Sequence, residues 1–381
     1  MTLVSAAFRN LLIGLVAVIA LATFLLWDRI PGPRTIRLAV RGILLLTGQF
    51  FGIVALLVTL NISYGGLVVT WADLMGEQTT QGARMAGQPG KVTMNPVAKV
   101  TSRPIIESQG FGEPDEDGFL KTTLRGPSSG VTSQVYVLPP PGYDQHPDHY
   151  YPVLELLHGV PDSPGAWMRQ MRVASHLESG VDAGAFHPFI LVIPNATPYP
   201  DHSSPRSTEE CTDLSSDDRI ETWITRDVRN LIIGSFRAIE DPSGWGLLGY
   251  SAGGFAAVNL VLKHPDLYKA AVSISGYYSP ESPLVTADPE FARENDPVWR
   301  VSHTRTPPVS ILMTASAQDA VDPPSESHRM LAAARTGARD TELQEYVAPL
   351  GGGHNQGAWE KMLPTAFRWF TRRLSGPVTP S

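Results

Sequence analysis

Hydrophobic runs of two different lengths divide the chain into two regions. Near the N-terminus, residues 11–27 and 43–60 contain no charged side chain. Each run is close to the shortest helix that crosses the hydrocarbon core of a membrane. From about residue 118 onward the apolar runs are much shorter, and they alternate with segments of helical periodicity. The pattern predicts two transmembrane helices, at about residues 11–27 and 43–60, followed by a globular domain.

Short apolar segments of the second region have the composition of buried strands. They are residues 133–138, 151–157, 189–193, 245–248, 270–275, 309–314 and 343–347. Residues 220–239 and 255–262 have helical apolar spacing instead. Near-continuous apolar strands that alternate with helices indicate a mainly parallel sheet covered on both faces. We therefore predict an α/β domain over residues 118–375, with its site at the carboxyl ends of the strands.

A polar segment rich in Gly and Pro separates the two regions. Residues 75–117 show little apolar periodicity and are predicted to form a linker. The predicted organisation is a membrane anchor over residues 1–74, this linker, the α/β domain, and a tail over residues 376–381.

Positive charges predict the orientation of the anchor. The loop between the two long runs contains Arg29, Arg34, Arg37 and Arg41. Only Arg9 precedes the first run, and the next Lys or Arg after the second run is Arg84. Because loops with excess Lys and Arg stay in the cytoplasm, the α/β domain is expected outside it, in the cell envelope.

Two other interpretations of the long apolar runs are buried core helices and, for the first run, a signal peptide. A signal peptide requires small residues at a cleavage site after its apolar stretch. The segment Trp27-Asp28-Arg29-Ile30-Pro31 offers none. The transmembrane prediction is therefore favoured.

Composition and charge exclude several functional classes. The chain of 381 residues is 18% charged with a formal net charge of −7, and it has no basic stripe that would bind nucleic acid. Cys211 is the single cysteine; its acidic surroundings disfavour a reactive thiolate, so we interpret it as a structural thiol. The acidic run at residues 209–218 lacks the ligand spacing of a calcium loop. Neither a metal ion nor a cofactor is predicted.

The pentapeptide Gly249-Tyr250-Ser251-Ala252-Gly253 matches the G-x-S-x-G pattern of a nucleophilic serine. It lies between a predicted strand and a predicted helix. A serine on so sharp a turn needs flanking glycines, and its hydroxyl then lies beside helix amides that stabilise negative charge. Since the bare pattern also arises by chance, the prediction that Ser251 is a nucleophile depends on a base and an acid at neighbouring strand ends.

The candidate bases are the histidines that follow Ser251, namely His264, His303, His328 and His354. His354 differs from the others because it directly follows the last predicted strand, in a glycine-rich turn. Such a turn lets an imidazole lie over the sheet near the serine. We predict His354 as the base and interpret the other three histidines as solvated or surface residues.

The acid that orients this imidazole is expected after the strand at residues 309–314. Asp319, Asp322 and Glu326 lie within reach. Asp319 is the nearest to the strand end and is the predicted acid. Asp322 remains an alternative, although it could instead cap the helix that follows.

An oxyanion hole requires two backbone amides. One is expected on Ala252, directly after the nucleophile. The other is expected on Val160, because Gly159 permits a turn that exposes the next amide. His158 precedes this turn and is predicted to order the loop by hydrogen bonding rather than to act as a base.

These motifs together resemble the esterase D family of α/β-hydrolases, including its mycolyltransferase branch, over roughly residues 130–372. The similarity is carried by Tyr136-Val-Leu-Pro-Pro140, Tyr151-Pro-Val-Leu-Glu-Leu-Leu-His-Gly159, Glu221-Thr-Trp-Ile-Thr225, Gly249-Tyr-Ser-Ala-Gly253 and Gly352-Gly-His-Asn355. The block at residues 221–225 is the most specific, because triad chemistry does not require it. The resemblance implies an α/β-hydrolase fold, Ser251 as nucleophile, His354 as base, and Val160 and Ala252 as oxyanion amides.

Two departures from the mycolyltransferase pattern favour a general esterase. Mycolyltransferases have an Asp-Gly-Leu type of turn after the oxyanion strand, whereas this chain has His158-Gly159-Val160. They also tend to be cleaved, secreted proteins without a double-span anchor.

The leading hypothesis is a membrane-anchored, extracytoplasmic serine esterase that cleaves an acyl ester or lipid substrate through an acyl-enzyme. One alternative is an acyltransferase that moves the acyl chain to a sugar hydroxyl. Another is a non-enzymatic envelope module, which predicts a broken triad. Trp167, Tyr199 and Tyr277 lie in loops near strand ends and are candidates to line the substrate site. Ordinary packing is the alternative interpretation of each.

Overall fold

The structure is a computed structural model that describes residues 6–63, 84–88, 110–198, 210–216, 218–337, 340–348 and 352–380. Tyr199, most of the predicted linker, and Glu209 and Asp217 of the acidic run lie outside these ranges.

Two long helices, α1 (Ala6–Leu26) and α2 (Arg34–Ser63), form the N-terminal region. They pack against each other around Leu12, Ala55 and Val58, while most of their large apolar side chains are exposed. Both are long and apolar enough to cross a membrane. The exposure distinguishes them from core helices, whereas a signal sequence would have a similar length and composition.

An arginine near the start of α2 contacts the end of α1. The guanidinium of Arg41 donates to the carbonyl oxygen of Trp27 at 2.5 and 3.0 Å and lies 4.6 Å from the centre of its ring. This contact fixes the start of α2 against the end of α1.

The C-terminal region contains strands β1 (Arg84–Gln88), β2 (Leu120–Arg125), β3 (Thr132–Leu138), β4 (Val153–Leu157), β5 (Ile190–Pro194), β6 (Asp213–Ser215), β7 (Asp218–Arg219), β8 (Trp245–Tyr250), β9 (Ala270–Ile274), β10 (Ser310–Ser316) and β11 (Glu342–Ala348). Among the described residues, nine of them form one sheet in the order β1-β11-β10-β9-β8-β4-β5-β3-β2, and β6 pairs with β7 separately. The strands from β11 to β5 are parallel, and the pairs at both edges are antiparallel. The predicted, mainly parallel α/β architecture is confirmed.

The helices of this region are α3 (Val173–Asp182), α4 (Ile220–Thr222, the π-helical Trp223–Val228, and Arg229–Ser235), α5 (Ala252–Lys263), α6 (Pro283–Thr286), α7 (Pro289–Glu294), α8 (Pro297–His303), α9 (Ser325–Ala333), α10 (Gln356–Glu360) and α11 (Leu363–Thr371), with shorter turns at Ala166–Gln170 and Pro242–Gly244. Successive residues of each central strand point to opposite faces of the sheet. On β8, Leu247 belongs to the hydrophobic cluster that contains Leu260 of α5, whereas Leu248 belongs to the cluster that contains Phe367 of α11. Each face of the sheet therefore has its own core.

The sheet extends further at both edges than the sequence pattern predicts. Strand β1 lies inside the segment predicted as a linker, and it pairs antiparallel with β11. Strand β2 pairs antiparallel with β3, and its exposed side chains alternate with partly buried ones. Both strands are too polar to produce the continuous apolar signal of the central strands.

The helix predicted at residues 220–239 ends earlier, at Ser235. Phe236 is already extended, with φ −134° and ψ 158°. The following residues pair with the start of β4, since Tyr151 N donates to Arg237 O at 2.7 Å and Ile239 N donates to Tyr151 O at 2.9 Å. Pairing with a distant part of the chain therefore overrides the helical periodicity.

A carboxyl group lies inside the core, on the central strand β4. Glu155 is fully buried, and its Oε2 accepts a hydrogen bond of 2.9 Å from the hydroxyl of Tyr268. Its Oε1 has no hydrogen-bond partner among the described residues. Burial raises the pKa of Glu155 to about 8, against the smaller opposing effects of Tyr268 and Arg229. The side chain is therefore protonated in the folded protein at neutral pH.

Glu155→Gln is expected to make the stability of the folded protein less sensitive to a rise in pH up to about 8. In the wild type, the unfolded chain ionises Glu155 above its ordinary pKa while the folded chain keeps the proton up to about pH 8. The free energy of unfolding therefore falls by roughly 1.4 kcal/mol per pH unit between these limits, and the amide abolishes this contribution. Melting temperatures of wild type and variant, measured from pH 5 to 8, should diverge in favour of the variant. Parallel curves would contradict the assignment.

Candidate active site

Ser251 occupies a strained turn between β8 and α5. Its backbone has φ 53° and ψ −127°, a combination that side-chain-bearing residues rarely adopt. The flanking glycines are required by close packing. A Cβ on Gly249 would overlap the carbonyl of Gly253, and a Cβ on Gly253 would overlap the carbonyl of Leu157. The strand–turn–helix geometry lifts the serine side chain to the carboxyl edge of the sheet.

Side chains from two neighbouring strand ends meet Ser251. His354 follows β11, and its Nε2 lies 2.9 Å from the Oγ of Ser251. Asp319 follows β10, and its Oδ2 lies 3.1 Å from the Nδ1 of His354. If Nδ1–H donates to Asp319, the lone pair of Nε2 faces the serine hydroxyl. The structure thus brings together the three side chains that the sequence singled out.

Asp319 and Asp322 both face the imidazole, but not equally. The Oδ1 of Asp319 accepts hydrogen bonds of 3.0 Å from the backbone amides of Val321 and Asp322, which fixes its orientation. The Oδ2 of Asp322 lies further from the Nδ1 of His354, at 3.8 Å. Burial raises the pKa of Asp322 to about 7, and neighbouring carboxylates add to this effect. The geometry favours Asp319 as the hydrogen-bond partner of His354.

The other candidate histidines lie away from Ser251. His264 contacts Glu221 at 2.7 Å, His328 lies 3.2 Å from Glu345, and the exposed His303 stacks on Trp299.

His158 orders the turn after β4, as expected from the sequence. Its Nδ1 lies 2.9 Å from the carbonyl oxygen of Gly159, and its Nε2 accepts a 3.2 Å hydrogen bond from the amide of Ala196. Burial lowers the pKa of His158, which favours the neutral ring that these contacts need.

The two predicted oxyanion amides flank the serine. Ala252 is the first residue of α5, where the backbone amides have no partner within the helix. Val160 lines both cavities that reach Ser251. Within the described part of the chain, neither amide donates a hydrogen bond. Both are available to a carbonyl oxygen.

Ser251 and Val160 line two cavities with otherwise different walls. The smaller has a volume of about 180 Å³ and contains His354 together with Tyr250, Asp162, Gln356 and Trp359. Tyr250 and Gln356 each donate a hydrogen bond of 2.9 Å to the same oxygen of Asp162. The ring of Trp359 stacks on Tyr250 at 4.4 Å and meets His354 edge-on at 4.9 Å. The sequence analysis assigned no role in the site to these four residues. The place of Tyr250 could have been inferred, because it belongs to the pentapeptide around Ser251.

The larger cavity has a volume of about 290 Å³ and lies on the Ala252 side of Ser251. Tyr277 lines it, and its contact with a substrate stays a prediction. Trp167 instead is fully buried and packs edge-on against Tyr250, so its predicted role in lining the site is wrong and the packing interpretation holds. Tyr199 lies outside the described residues.

The block at residues 221–225 contacts the C-terminal end of α5, the helix that begins just after Ser251. The carboxylate of Glu221 contacts Lys263 at 2.5 Å and His264 at 2.7 Å, at the end of the helix that Ser251 begins. Lys263 also donates to Asn295 at 2.9 Å. The block therefore anchors α5 rather than taking part in chemistry. Among the described residues, no group of His, Cys, Asp or Glu is arranged to hold a metal ion.

Comparisons with known proteins agree with this architecture. The model of the family described as "Putative esterase" matches residues 127–370. An uncharacterized protein of Corynebacterium glutamicum is 23% identical over 309 residues, which cover 74% of this chain and 69% of the relative.

Solved structures share the fold at low sequence identity. A ferulic acid esterase superposes with a TM-score of 0.55 at 21% identity, covering 66% of this chain and 97% of that structure. An S-formylglutathione hydrolase from Agrobacterium tumefaciens gives 0.57 at 18% identity, with 69% and 99% covered. The fluorophosphonate-binding serine hydrolase F of Staphylococcus aureus gives 0.53 at 15%, with 68% and 100% covered. Since the family model spans well over half of the chain, this protein belongs to that esterase family of α/β-hydrolases.

Proposed function

We propose that this chain is a membrane-anchored serine esterase in which Ser251 is the nucleophile, His354 the general base and Asp319 the acid that orients it. The observation that carries the proposal is the pair of contacts of 2.9 and 3.1 Å that joins these three side chains. They come from three separate strand ends. Core packing alone gives no reason for a buried Asp–His pair to end on a strained serine.

In the acylation step, His354 Nε2 accepts the hydroxyl proton of Ser251 while Oγ attacks the carbonyl carbon of the ester. The oxygen of the tetrahedral intermediate takes the negative charge, facing the amides of Val160 and Ala252. Each such donor typically contributes about 10²- to 10³-fold in rate. The bond to the alcohol oxygen then breaks, and that oxygen receives the proton from His354.

In the deacylation step, water attacks the acyl-serine while His354 accepts its proton. The bond between the acyl carbon and Oγ breaks, and the proton returns to Ser251. The carboxylate of Asp319 stabilises the imidazolium in both steps and holds the tautomer that faces Ser251.

The test of this proposal is reaction of the full-length protein, in detergent, with a labelled fluorophosphonate, followed by an ester panel of increasing acyl length. We expect one label per chain, located at Ser251 by peptide mass, and release of free acid. The panel is repeated with trehalose, because transfer of the acyl group to the sugar would indicate an acyltransferase. Absence of label, or label on another serine, would contradict the proposal.

We further propose that α1 and α2 span the membrane with their connecting loop in the cytoplasm, so that the esterase domain lies outside. Four arginines support this orientation, since Arg29 lies in the loop and Arg34, Arg37 and Arg41 lie at the adjoining start of α2. A reporter fused after Ser381 is expected to show an external location, and the same reporter inserted after Pro33 an internal one. A cytoplasmic signal from the C-terminal fusion would overturn the topology.

A further inference from the structure

The larger cavity beside Ser251 is lined by an unusual number of carboxyl groups. Glu210, Glu281 and Asp322 reach it from three separate loops, together with Tyr277 and Ser282. We call it the carboxylate cavity. It contains both residues of the proposed oxyanion hole and the nucleophile, so a group that fills it lies against the reacting ester.

Glu210 is held so that one of its oxygens remains unused. Its Oε1 accepts hydrogen bonds from the hydroxyl of Tyr277 at 2.7 Å and from the amides of Glu281 and Ser282 at 2.8 and 3.1 Å. The residue is 5% exposed, and its Oε2 has no hydrogen-bond partner among the described residues. A buried carboxylate oxygen without a donor is costly, because desolvation is not compensated. A donor from a substrate would remove this cost.

Asp322 and Glu281 increase the negative charge around the same space. Asp322 is 5% exposed, and within the described structure its carboxylate accepts no hydrogen bond; its nearest partner is His354, at 3.8 Å. Glu281 lies at the exposed rim. Burial raises the pKa of all three groups, and Glu281 adds to the shift of both Glu210 and Asp322. A cation in the cavity would reverse these shifts.

The described residues that line the cavity include no Lys or Arg. The basic group that affects the pKa of Glu281 is Arg329, which is already paired with Glu326 at 2.5 Å and bonded to Ser279.

Since the carboxylates do not form a metal-ligand cluster among the described residues, the complementary cation is an organic one. Three donors already bind Oε1 of Glu210, so Oε2 is the oxygen of this carboxylate that can accept a further hydrogen bond. This geometry suits an ammonium group better than a guanidinium, which pairs through two oxygens.

The positions of the two cavities indicate which half of the ester carries this charge. His354 lines the smaller cavity, and in the proposed mechanism it gives its proton to the leaving alcohol. The alcohol therefore lies in the smaller cavity. The acyl group then lies in the carboxylate cavity, beside Ala252.

We propose that the carboxylate cavity binds the acyl part of an ester that carries a protonated amine, as an aminoacyl ester does; this inference rests on the proposed function. Binding requires no new chemistry. The same ester bond breaks, and the ammonium group donates hydrogen bonds to Glu210 while Glu281 and Asp322 add electrostatic attraction.

The test compares pairs of esters of one alcohol that differ only in charge. Alanyl and isobutyryl esters form one pair, and 6-aminohexanoyl and heptanoyl esters form a second pair with a longer reach. For the full-length wild type, we expect kcat/KM for at least one amino ester to exceed that of its neutral partner by about 10- to 100-fold, the effect of one charge-assisted hydrogen bond.

The variants separate charge recognition from general loss of activity. Glu210→Gln and Glu281→Gln are each expected to lower the amino-to-neutral ratio by about 5-fold or more, mainly through a higher KM. Glu281 serves as the second variant because Glu210 also supports the fold through Oε1. Glu290→Gln is the matched control, since Glu290 is exposed on α7 and does not line the cavity; it should keep the wild-type ratio.

The outcomes distinguish this inference from the function on which it rests. If wild type labels with fluorophosphonate and cleaves both members of each pair equally, or if neither cavity variant changes the ratio, the amine inference is overturned and the esterase proposal stands. A trehalose-dependent reaction that is lost in Glu210→Gln would assign the cavity to hydroxyl groups and likewise overturn it. If no ester is cleaved and no label forms, both proposals fail.

Discussion

Ser251→Ala is expected to lower the kcat of ester hydrolysis by at least about 10⁴-fold while the protein stays folded. The substitution removes the proposed nucleophilic atom, Oγ, so that His354 and Asp319 would have no hydroxyl to activate. Alanine has the same backbone limits as serine at φ 53°, so the turn is no more strained than before. The measurement is initial-rate hydrolysis of the best ester of the panel, with the melting temperature as the test of folding.

Ser275→Ala is the matched control. Ser275 is also buried, lies at the end of the neighbouring strand β9 and has a similarly positive φ of 47°. Its side chain has no hydrogen-bond partner among the described residues. Loss of one hydroxyl from a strained serine should therefore leave turnover within a few-fold of wild type. If Ser251→Ala retained activity comparable to this control, the nucleophile would have to be another residue.

Asp319→Asn is expected to lower kcat by about 10⁴-fold, and Asp322→Asn by much less. The amide group introduced by the first substitution would present a donor to the imidazole and favour the tautomer with its proton on Nε2, which cannot accept the serine proton. Asp322 lies 3.8 Å from Nδ1, beyond hydrogen-bond distance, so its replacement leaves the 3.1 Å contact of Asp319 in place.

The pair is measured as kcat over a range of pH, because the carboxyl group of Asp322 ionises close to neutrality. Burial raises the pKa of Asp322 to about 7, so Asp322→Asn removes an ionisation close to neutrality and should flatten the pH profile there. The opposite ranking, with Asp322→Asn the more damaging, would identify Asp322 as the triad acid.

The convergence of Ser251, Asp319 and His354 could be predicted because parallel strands end at one edge of a sheet. Each residue lies in the turn that follows an apolar run in the sequence, so the position of the run indicates which edge of the sheet the side chain reaches. The same reasoning gave the bounds of β3, β4, β5, β8, β9, β10 and β11 to within two residues, and it missed the more polar β1, β2, β6 and β7.

The surroundings of the site could not be predicted in this way. Glu210, Glu281 and Asp322 belong to loops, whose packing has no period that a sequence reveals. Trp167 carries the same aromatic signal as Tyr277, yet it packs in the core, because a loop position does not determine which way a side chain faces. The early end of α4 depends on pairing with Tyr151, far away in sequence.

Strand β1 has a consequence for where the esterase domain can act. Between the end of α2 and Arg84 lie residues 64–83, and a fully extended chain covers at most about 3.6 Å per residue. The pairing of β1 with β11 therefore limits the domain to roughly 70 Å from the end of α2. Without β1, the first strand of the sheet would be β2, which begins at Leu120, and the connecting segment would more than double in length. With α2 in the membrane, this short connecting segment keeps the active site close to membrane-bound esters, at a high local concentration of them.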